Sequence, residues 1–439
     1  MTRLRASVAL LVVAACHHGN PATPDASGGQ DATAVDAAQD ATTDSAGCVS
    51  CGAITVTVYG GVIVGRSGTL LANIPVYFVW PDQTTHEVTT GSDGVATAVA
   101  PDDTEVVIVY EQSSTAYAFD VYEGLLVGDS FVEGDPDPPG SGTVQATPYF
   151  TCPAWNDATT CIVRASCTGG TQGPPGAGLP ADALGCAQFD AANAVAYATD
   201  SQGNMGYASL TGIDYATANG AANPVVFPAF QPAGTLGVTV TGLPAAGNKD
   251  LELDGRYTIG SDPTILGSID VSGGGASTTQ SVTGAIPPFG DHTSILAHVT
   301  LESTSYSRID YTQHLAQLVT TAPIDATQMV HPAFDSHWDS VKAVVSWLED
   351  TAIGTDPTTV TASIAWMTSN GYSVGMAIYA PHSTTSSIAI PKLPADYSQM
   401  ATPLQVLVQQ VTLQSFVGKT YHDGLVGQTG DAPLWETYP

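Results

Sequence analysis

The sequence predicts an all-β protein built of tandem β-sandwich modules behind a disordered acidic tether, and three observations predict it. Glycine (45) and proline (29) make up about a sixth of the 439 residues, too many turn formers for a helical protein and too few for a collagen-like or disordered chain. Charged residues are 12% and hydrophobic residues 43%, which leaves the surface to uncharged and β-branched side chains that suit strands better than helices. Short alternating segments then recur about every eight to twelve residues, the spacing of a β-sandwich.

The chain opens with Met1-Thr-Arg-Leu-Arg5, followed by an apolar run from Val8 to Ala15 that stops at Cys16. A membrane-spanning helix needs roughly 20 apolar residues, so this run has the length of a secretory signal. Its end, Val13-Ala-Ala-Cys16, resembles the lipobox of bacterial lipoproteins. The resemblance implies that residues 1–15 are a signal peptide and that Cys16 becomes the diacylated N-terminus. His17, standing where an aspartate would retain the protein, is compatible with export to the outer membrane. The expected place is therefore the bacterial cell envelope, periplasmic or surface-exposed, with the membrane as a partner through the lipid. Each buried methylene contributes about 0.8 kcal/mol, so two or three chains anchor firmly without help from protein charge. Residues 16–47 are almost entirely Ala, Asp, Thr, Ser, Pro and Gly. Such a segment has nothing to bury and reads as a tether reaching roughly 30 Å.

Six further cysteines, Cys48, Cys51, Cys152, Cys161, Cys167 and Cys186, form an even set in an exported chain and read as disulfides. Pairing of neighbours is favoured: Cys48–Cys51, Cys152–Cys161 and Cys167–Cys186. Cys48-Val-Ser-Cys51 precedes a strand rather than a helix, so a redox role, which uses a helix N-terminus to depress the thiol pKa, is disfavoured. Zinc would need a second closely paired set of ligands, and no metal or cofactor is expected.

Residues 48–135 are the most legible. Ile54-Thr-Val-Thr-Val-Tyr59 alternates, Ile74-Pro-Val-Tyr-Phe-Val-Trp80 is a second strand, and Glu105-Val-Val-Ile-Val-Tyr110 a later one. Between them, His86 to Thr90 and Val95 to Ala100 flank Gly91-Ser-Asp-Gly94, a hairpin signal. Leu70-Leu-Ala-Asn-Ile-Pro-Val76 and Thr90-Gly-Ser-Asp-Gly-Val-Ala96 resemble the carboxypeptidase regulatory-like (prealbumin-like) family of Ig-like modules. That resemblance covers about 80 residues and implies a fold and a spacer or adhesion-like role. The family's later G-x-Y strand entry is replaced by Thr104-Glu-Val-Val.

Thr199 to Gly206 echoes the same turn, placing a cysteine-containing β module at 136–232. A further sandwich is expected at 233–330, and a C-terminal β region at 331–439 that could be one unit with it. Val341 to Leu348 fits both a helical and an alternating pattern, and the surrounding strands favour β.

Net charge is −31, and loss of Arg3 and Arg5 leaves eight cations against 41 acids. So few cations cannot neutralise a run of phosphates, which disfavours nucleic acid and anionic lipid as partners. Gly371-Tyr-Ser-Val-Gly375 spells the serine-hydrolase nucleophile elbow. That elbow needs a strand before the serine and a helix after it. Here Asn370-Gly371 is a hairpin signal and strand-like residues follow, so Ser373 reads as a turn residue, although Asp396 and His422 follow in triad order. His292 and His298 share one face of a strand but stand about 20 Å apart and read as solvent-facing; His331 and His337, beside Trp338, read as a surface aromatic patch or as loop packing. Asp102-Asp103 and Asp135-Pro-Asp137 lack calcium-loop spacing. The leading expectation is a non-enzymatic structural or adhesive surface protein. The alternative is a carbohydrate- or substrate-binding lipoprotein, with a polysaccharide or protein ligand, and exposed tryptophans among Trp80, Trp155, Trp338, Trp347, Trp366 and Trp435 would favour it.

Overall fold

Alternation in the first segment produces β1 (Gly52–Val58), β2 (Pro75–Val79), β3 (Thr85–Thr89), β4 (Val95–Ala100), β5 (Thr104–Ser113), β6 (Ala116–Leu125) and β7 (Ser130–Glu133). These belong to a computed structural model that describes residues 50–60, 69–134, 146–165, 168, 170–183, 192–245, 248–258, 268–290, 292–302, 307–315, 317–425 and 432–437. The signal segment, the tether, Cys16, Cys48, Cys167, Cys186, Asp135 and Asp137 lie outside the described residues. The second segment forms β8 (Tyr149–Thr151), β9 (Cys161–Ala165), β10 (Thr171–Gly173), β11 (Gly178–Pro180), β12 (Ala192–Thr199), β13 (Met205–Ile213), β14 (Val225–Val226) and β15 (Gln231–Pro232). The third holds β16 (Gly234–Thr241), β17 (Asn248–Thr258), β18 (Ser268–Gly275), β19 (Gln280–Ile286), β20 (His292–Glu302), β21 (Ser307–Leu315) and β22 (Thr321–Asp325). The last contributes β23 (Ala333–Asp339), β24 (Val344–Glu349), β25 (Thr359–Thr368), β26 (Ser373–Pro381), β27 (Ser387–Ala389), β28 (Pro403–Phe416), the five-residue helix α1 (Tyr421–Leu425) and β29 (Leu434–Thr437). The protein is all-β, as its turn-former content and strand periodicity require.

The strand pairing crosses the expected module boundaries. Twelve strands form one sheet in the order β18-β17-β20-β21-β29-β28-β25-β26-β6-β5-β2-β3. Its seam is a parallel pairing of β6 with β26, from Ala116 opposite Ser373 to Tyr122 opposite Tyr379. Three three-stranded sheets, β4-β1-β7, β19-β16-β22 and β23-β24-β27, complete cores against it. Residues 146–232 close a sandwich of their own, β10-β9-β12-β13-β15 facing β11-β8-β14, around Phe150, Val163, Ala196, Tyr215 and Phe227. Cys152 and Cys161 are joined by a disulfide within it, and Cys51 is also disulfide-bonded.

The central strands are buried on both faces. Val76, Phe78, Val106 and Ile108 pack on Ile54, Val56 and Val58 of β1. Their neighbours Tyr77, Val79, Val107 and Val109, with Phe119 and Val121 of β6, turn the other way onto Val345, Trp347 and Met376. The third core, around Leu236, Val238, Ile295, Val299 and Trp435, lies on the same side as Val345. The register shows this, because Leu413, Thr437 and Ile309 are successive cross-strand partners.

Two sequence expectations are corrected, and the place of the tryptophans is answered. The turn at 91–94 is locally closed, with Gly94 N donating to Gly91 O at 3.0 Å, but it is an arch and not a hairpin. β3 pairs with β2 while β4 pairs with β1 in the facing sheet, because β4 carries the more buried pattern. Gly94 is required there: its φ is +69°, and a Cβ would sit 2.9 Å from the Val58 carbonyl oxygen. The tryptophans are structural: Trp347, Trp366 and Trp435 are at most 4% exposed, and Trp80, Trp155 and Trp338 are half-buried against core clusters. Val341 stands 93% exposed in a turn, and the strand begins only at Val344. The echo at Thr199 to Gly206 does form a hairpin between β12 and β13. Asp200 closes it by accepting from Gln202 N and Asn204 N at 2.9 and 2.8 Å.

Double burial makes two predictions. A fragment of residues 48–135 would expose Tyr77, Val107, Phe119 and Val121, so it should bind an apolar dye and unfold in urea without cooperativity. In the whole chain Phe119→Ala, at a site with 0% exposure, should cost about 3–5 kcal/mol in urea denaturation.

Candidate functional site

On the face of the large sheet opposite the Val345 core, β4-β1-β7 covers β2, β5 and β6 but leaves the neighbouring strands open. Alternation along β25 sends Val360, Ala362, Ile364 and Trp366 into the core, so Thr359, Thr361, Ser363, Ala365 and Met367 point outward. β26 places Ser373, Gly375, Ala377 and Tyr379 on the same face. The register forms rows across the strands: Tyr122, Tyr379, Thr361 and Thr412 in one, Pro381, Thr359, Gln414 and Glu436 in the next. A Cβ added to Gly375 would meet nothing within 4 Å.

At one end of this face a cavity of about 230 Å³ is lined by Thr359, Thr361, Tyr379, Thr412, Gln414, Phe416, Tyr421, Gly424 and Leu425. Helix α1 forms its roof and is held by three unlike contacts. Tyr421 donates its hydroxyl to the Tyr379 carbonyl at 3.2 Å, His422 Nδ1 meets Asp129 Oδ2 at 3.0 Å, and Leu425 packs on the β1 core. Tyr379 is stacked on Tyr122, with ring centroids 4.7 Å apart and planes within 9°. The floor is polar: Gln410 Nε2 donates to Thr412 at 3.1 Å, and Gln414 Nε2 donates to Glu436 at 2.6 Å.

Behind Tyr379 lies a buried acidic cluster that the sequence reading did not single out. Tyr122 donates its hydroxyl to Glu133, and Asp120 and Glu133 share a hydrogen bond. Burial, reinforced by the charge of Glu133, pushes the Asp120 carboxyl well above its ordinary range, and burial raises Glu133 as well. The Tyr110 hydroxyl is buried beside them without a partner among the described residues. The signal was present in Phe119-Asp-Val-Tyr122, where an acid takes an inward position between apolar residues. Nearby, burial lifts Glu105 to about 8 and Glu123 to about 7.

The residues singled out in the sequence are dispersed. Ser373 begins β26 after a turn in which Gly371 has φ +84°, and its N–H donates to Thr115. Asp396 approaches the Tyr77 hydroxyl at 3.5 Å. His422 sits beside Tyr379, six residues from Ser373 along an extended strand, or about 20 Å. His298 is not solvent-facing: its side chain is 13% exposed and meets Asp310 at 2.6 Å, because Arg308 from the next strand folds over the pair. The His292 side chain lies outside the described residues. His331 is buried between Ile353 O at 2.6 Å and Asp356 at 3.0 Å, where it staples two loops, while His337 is exposed on β23. Asp102 accepts from Val127 N at 2.8 Å, a turn role. Among the described residues no group of three or more His, Cys, Asp or Glu is arranged to hold a metal ion.

A further buried polar contact joins sheets. Glu349 Oε1 accepts from His382 at 3.1 Å and from Trp347 Nε1 at 2.6 Å. Burial opposes its ionisation, but these bonds outweigh it and hold the carboxyl below its ordinary range. The two kinds of acid give opposite pH dependences. Glu105 and Glu123, raised in the folded state, contribute stability that is complete below about pH 4.5 and lost as pH rises through about 7 to 8. Glu349, depressed, contributes stability above its ordinary value that is lost as pH falls. Thermal melting should therefore peak near pH 5–6 and decline toward pH 8.5. Glu105→Gln should stabilise by about 2 kcal/mol at pH 8.5 and little at pH 5. Glu349→Gln should cost about 1–3 kcal/mol at pH 7.

No family model matches this chain, and no curated protein matches it. Among solved structures it is similar at 9% identity to the pilus adhesin SpaC from Lactobacillus rhamnosus GG, over 76% of this chain and 44% of that one, with a TM-score of 0.13. The chain thus spans less than half the length of that adhesin, and a superposition this loose assigns no function.

Proposed function

We propose that this is a non-enzymatic, lipid-anchored surface protein of the bacterial cell envelope, with a structural or adhesive role. The observation that supports the reading is the place of β1, the first strand among the described residues. β1 comes after residues 16–47 in the sequence and is the middle strand of its sheet, antiparallel to β4 and parallel to β7. A pull along β1 acts across hydrogen bonds to two neighbours at once, since ladder bonds run across the strands. The load then passes through the β1 core into β2, β5 and β6, which are packed on both faces and paired through β26 to the C-terminal strands. A body wired in this way suits a protein held at one end and loaded elsewhere. The lipobox-like Val13-Ala-Ala-Cys16 supplies the anchor in this reading, and the outer membrane is its place.

The carbohydrate-binding alternative lacks the row of exposed tryptophans that would have favoured it, but the lined cavity beside Tyr379 gives it a specific location. In cells, Cys16→Ser should abolish labelling by palmitate and move the protein from the membrane to the soluble fraction. Deletion of the gene should reduce adhesion of the cells to surfaces or to one another. Unchanged fractionation of the variant would defeat the anchor, and unchanged adhesion the adhesive role.

A further inference from the structure

The cavity under α1 has a lining that selects by charge. None of its nine lining residues carries an acid or a base, in a chain with 41 acids. Its walls are the aromatic rings of Tyr379, Phe416 and Tyr421, and its floor is Thr359, Thr361, Thr412 and Gln414. Tyr122 covers one face of Tyr379, and Thr361 is the cross-strand partner on the other side. Tyr379 and Thr361 both line the cavity. Thr412 spends an acceptor position on Gln410 and keeps its own hydrogen to donate. Gln414 spends its amide nitrogen on Glu436 and keeps its carbonyl oxygen to accept. The Thr359 and Thr361 side chains make no hydrogen bond among the described residues. Donors and acceptors thus stand beside flat apolar rings, and the carboxylate next to the floor, Glu436, is engaged by Gln414.

The volume of about 230 Å³ is below the roughly 300–1,000 Å³ of pockets for drug-sized ligands and suits one sugar ring. The site does not end there. Ser363, Ala365, Gly375 and Ala377 continue it as a shallow uncharged strip, and nothing stands over Gly375. We propose that this cavity and strip bind a neutral polysaccharide, one ring seated between Tyr379 and Phe416 and the chain continuing along β25 and β26. The proposal rests on the adhesive reading and names its ligand class. A charge-free trough on a strongly acidic protein disfavours an anionic polymer through the protein's overall field and offers a cationic one no counter-charge. Hydroxyl-rich chains with apolar ring faces match both the rings and the unspent hydrogen bonds.

The test is a binding titration of the full-length protein in detergent against fluorescent dextran, laminarin and mannan, with polygalacturonate as the anionic control. Saturable binding of at least one neutral probe and none of polygalacturonate is expected. Thr361→Val and Phe416→Ala should each weaken it at least tenfold. Gly375→Phe, which builds into open space, should weaken binding of the long polymer more than that of its disaccharide. Unchanged melting temperatures check that the variants fold. Failure of every neutral probe to bind, or folded Thr361→Val and Gly375→Phe variants binding within twofold of the parent, would overturn the proposal. Adhesion of cells that persists without any neutral-probe binding removes this inference and leaves the adhesive reading. Probe binding by the purified protein, with adhesion unaffected by gene deletion, removes that reading and leaves the site.

Discussion

Burial of β2, β5 and β6 on both faces is the constraint from which the rest of the structure follows. A strand packed on one side can end a domain, because its other side tolerates water. A strand such as Val106-Val-Ile-Val109, with every side chain at most 2% exposed, must find two layers. One layer is β4-β1-β7, encoded beside it. The other comes from residues more than 200 positions later, carried by Val345, Trp347 and Ile388. The N-terminal segment is therefore completed by the C-terminal one, and the parallel seam between β6 and β26 is where they join.

The sheet is wider than any one of its covering layers, and this mismatch creates the candidate site. β4-β1-β7 shields β5 and β6 but stops short of β25 and β28, so the outward residues of those strands are mostly threonine, serine, alanine and glutamine, with Met367 and Leu407 left exposed. The boundary is sealed by α1, which reaches from the last strands to Asp129. Polar contacts also join separate elements, Glu349 with His382 and, across 293 residues, Asp129 with His422. These carboxylates are paired as they are buried, the Glu349 side chain being 3% exposed and that of Asp129 11%.

The strands themselves were legible because the period of two survives wherever one face meets water, as in Ile54 to Val58 and Val360 to Trp366. The turn at 369–372 was legible because Asn370-Gly371 supports a positive φ whatever surrounds it. By contrast, Gly91-Ser-Asp-Gly94 encodes a reversal of the chain but not its partner. A hairpin and an arch have the same local residues, and only the greater burial demanded by β4 sends it to the opposite sheet. Which tryptophans are core was left open for a related reason: Trp347, Trp366 and Trp435 are covered by layers that only the tertiary structure supplies. The acidic cluster was present as a single aspartate in Phe119-Asp-Val-Tyr122, yet its partner Glu133 belongs to another sheet.

Taken alone, the amino-acid sequence determined the class of the fold, the position of most strands and turns, the acidic balance and the uncharged outward pattern of β25. All of these depend on neighbours within a few residues. Tertiary structure alone decided which strands share a sheet, that the first and last segments complete one another, and that Tyr379, Phe416 and Tyr421 line one cavity with Thr359 and Thr361. Pairing between strands hundreds of residues apart depends on matching buried faces across space, and backbone hydrogen bonds, being alike at every residue, leave no record of their partners in the chain.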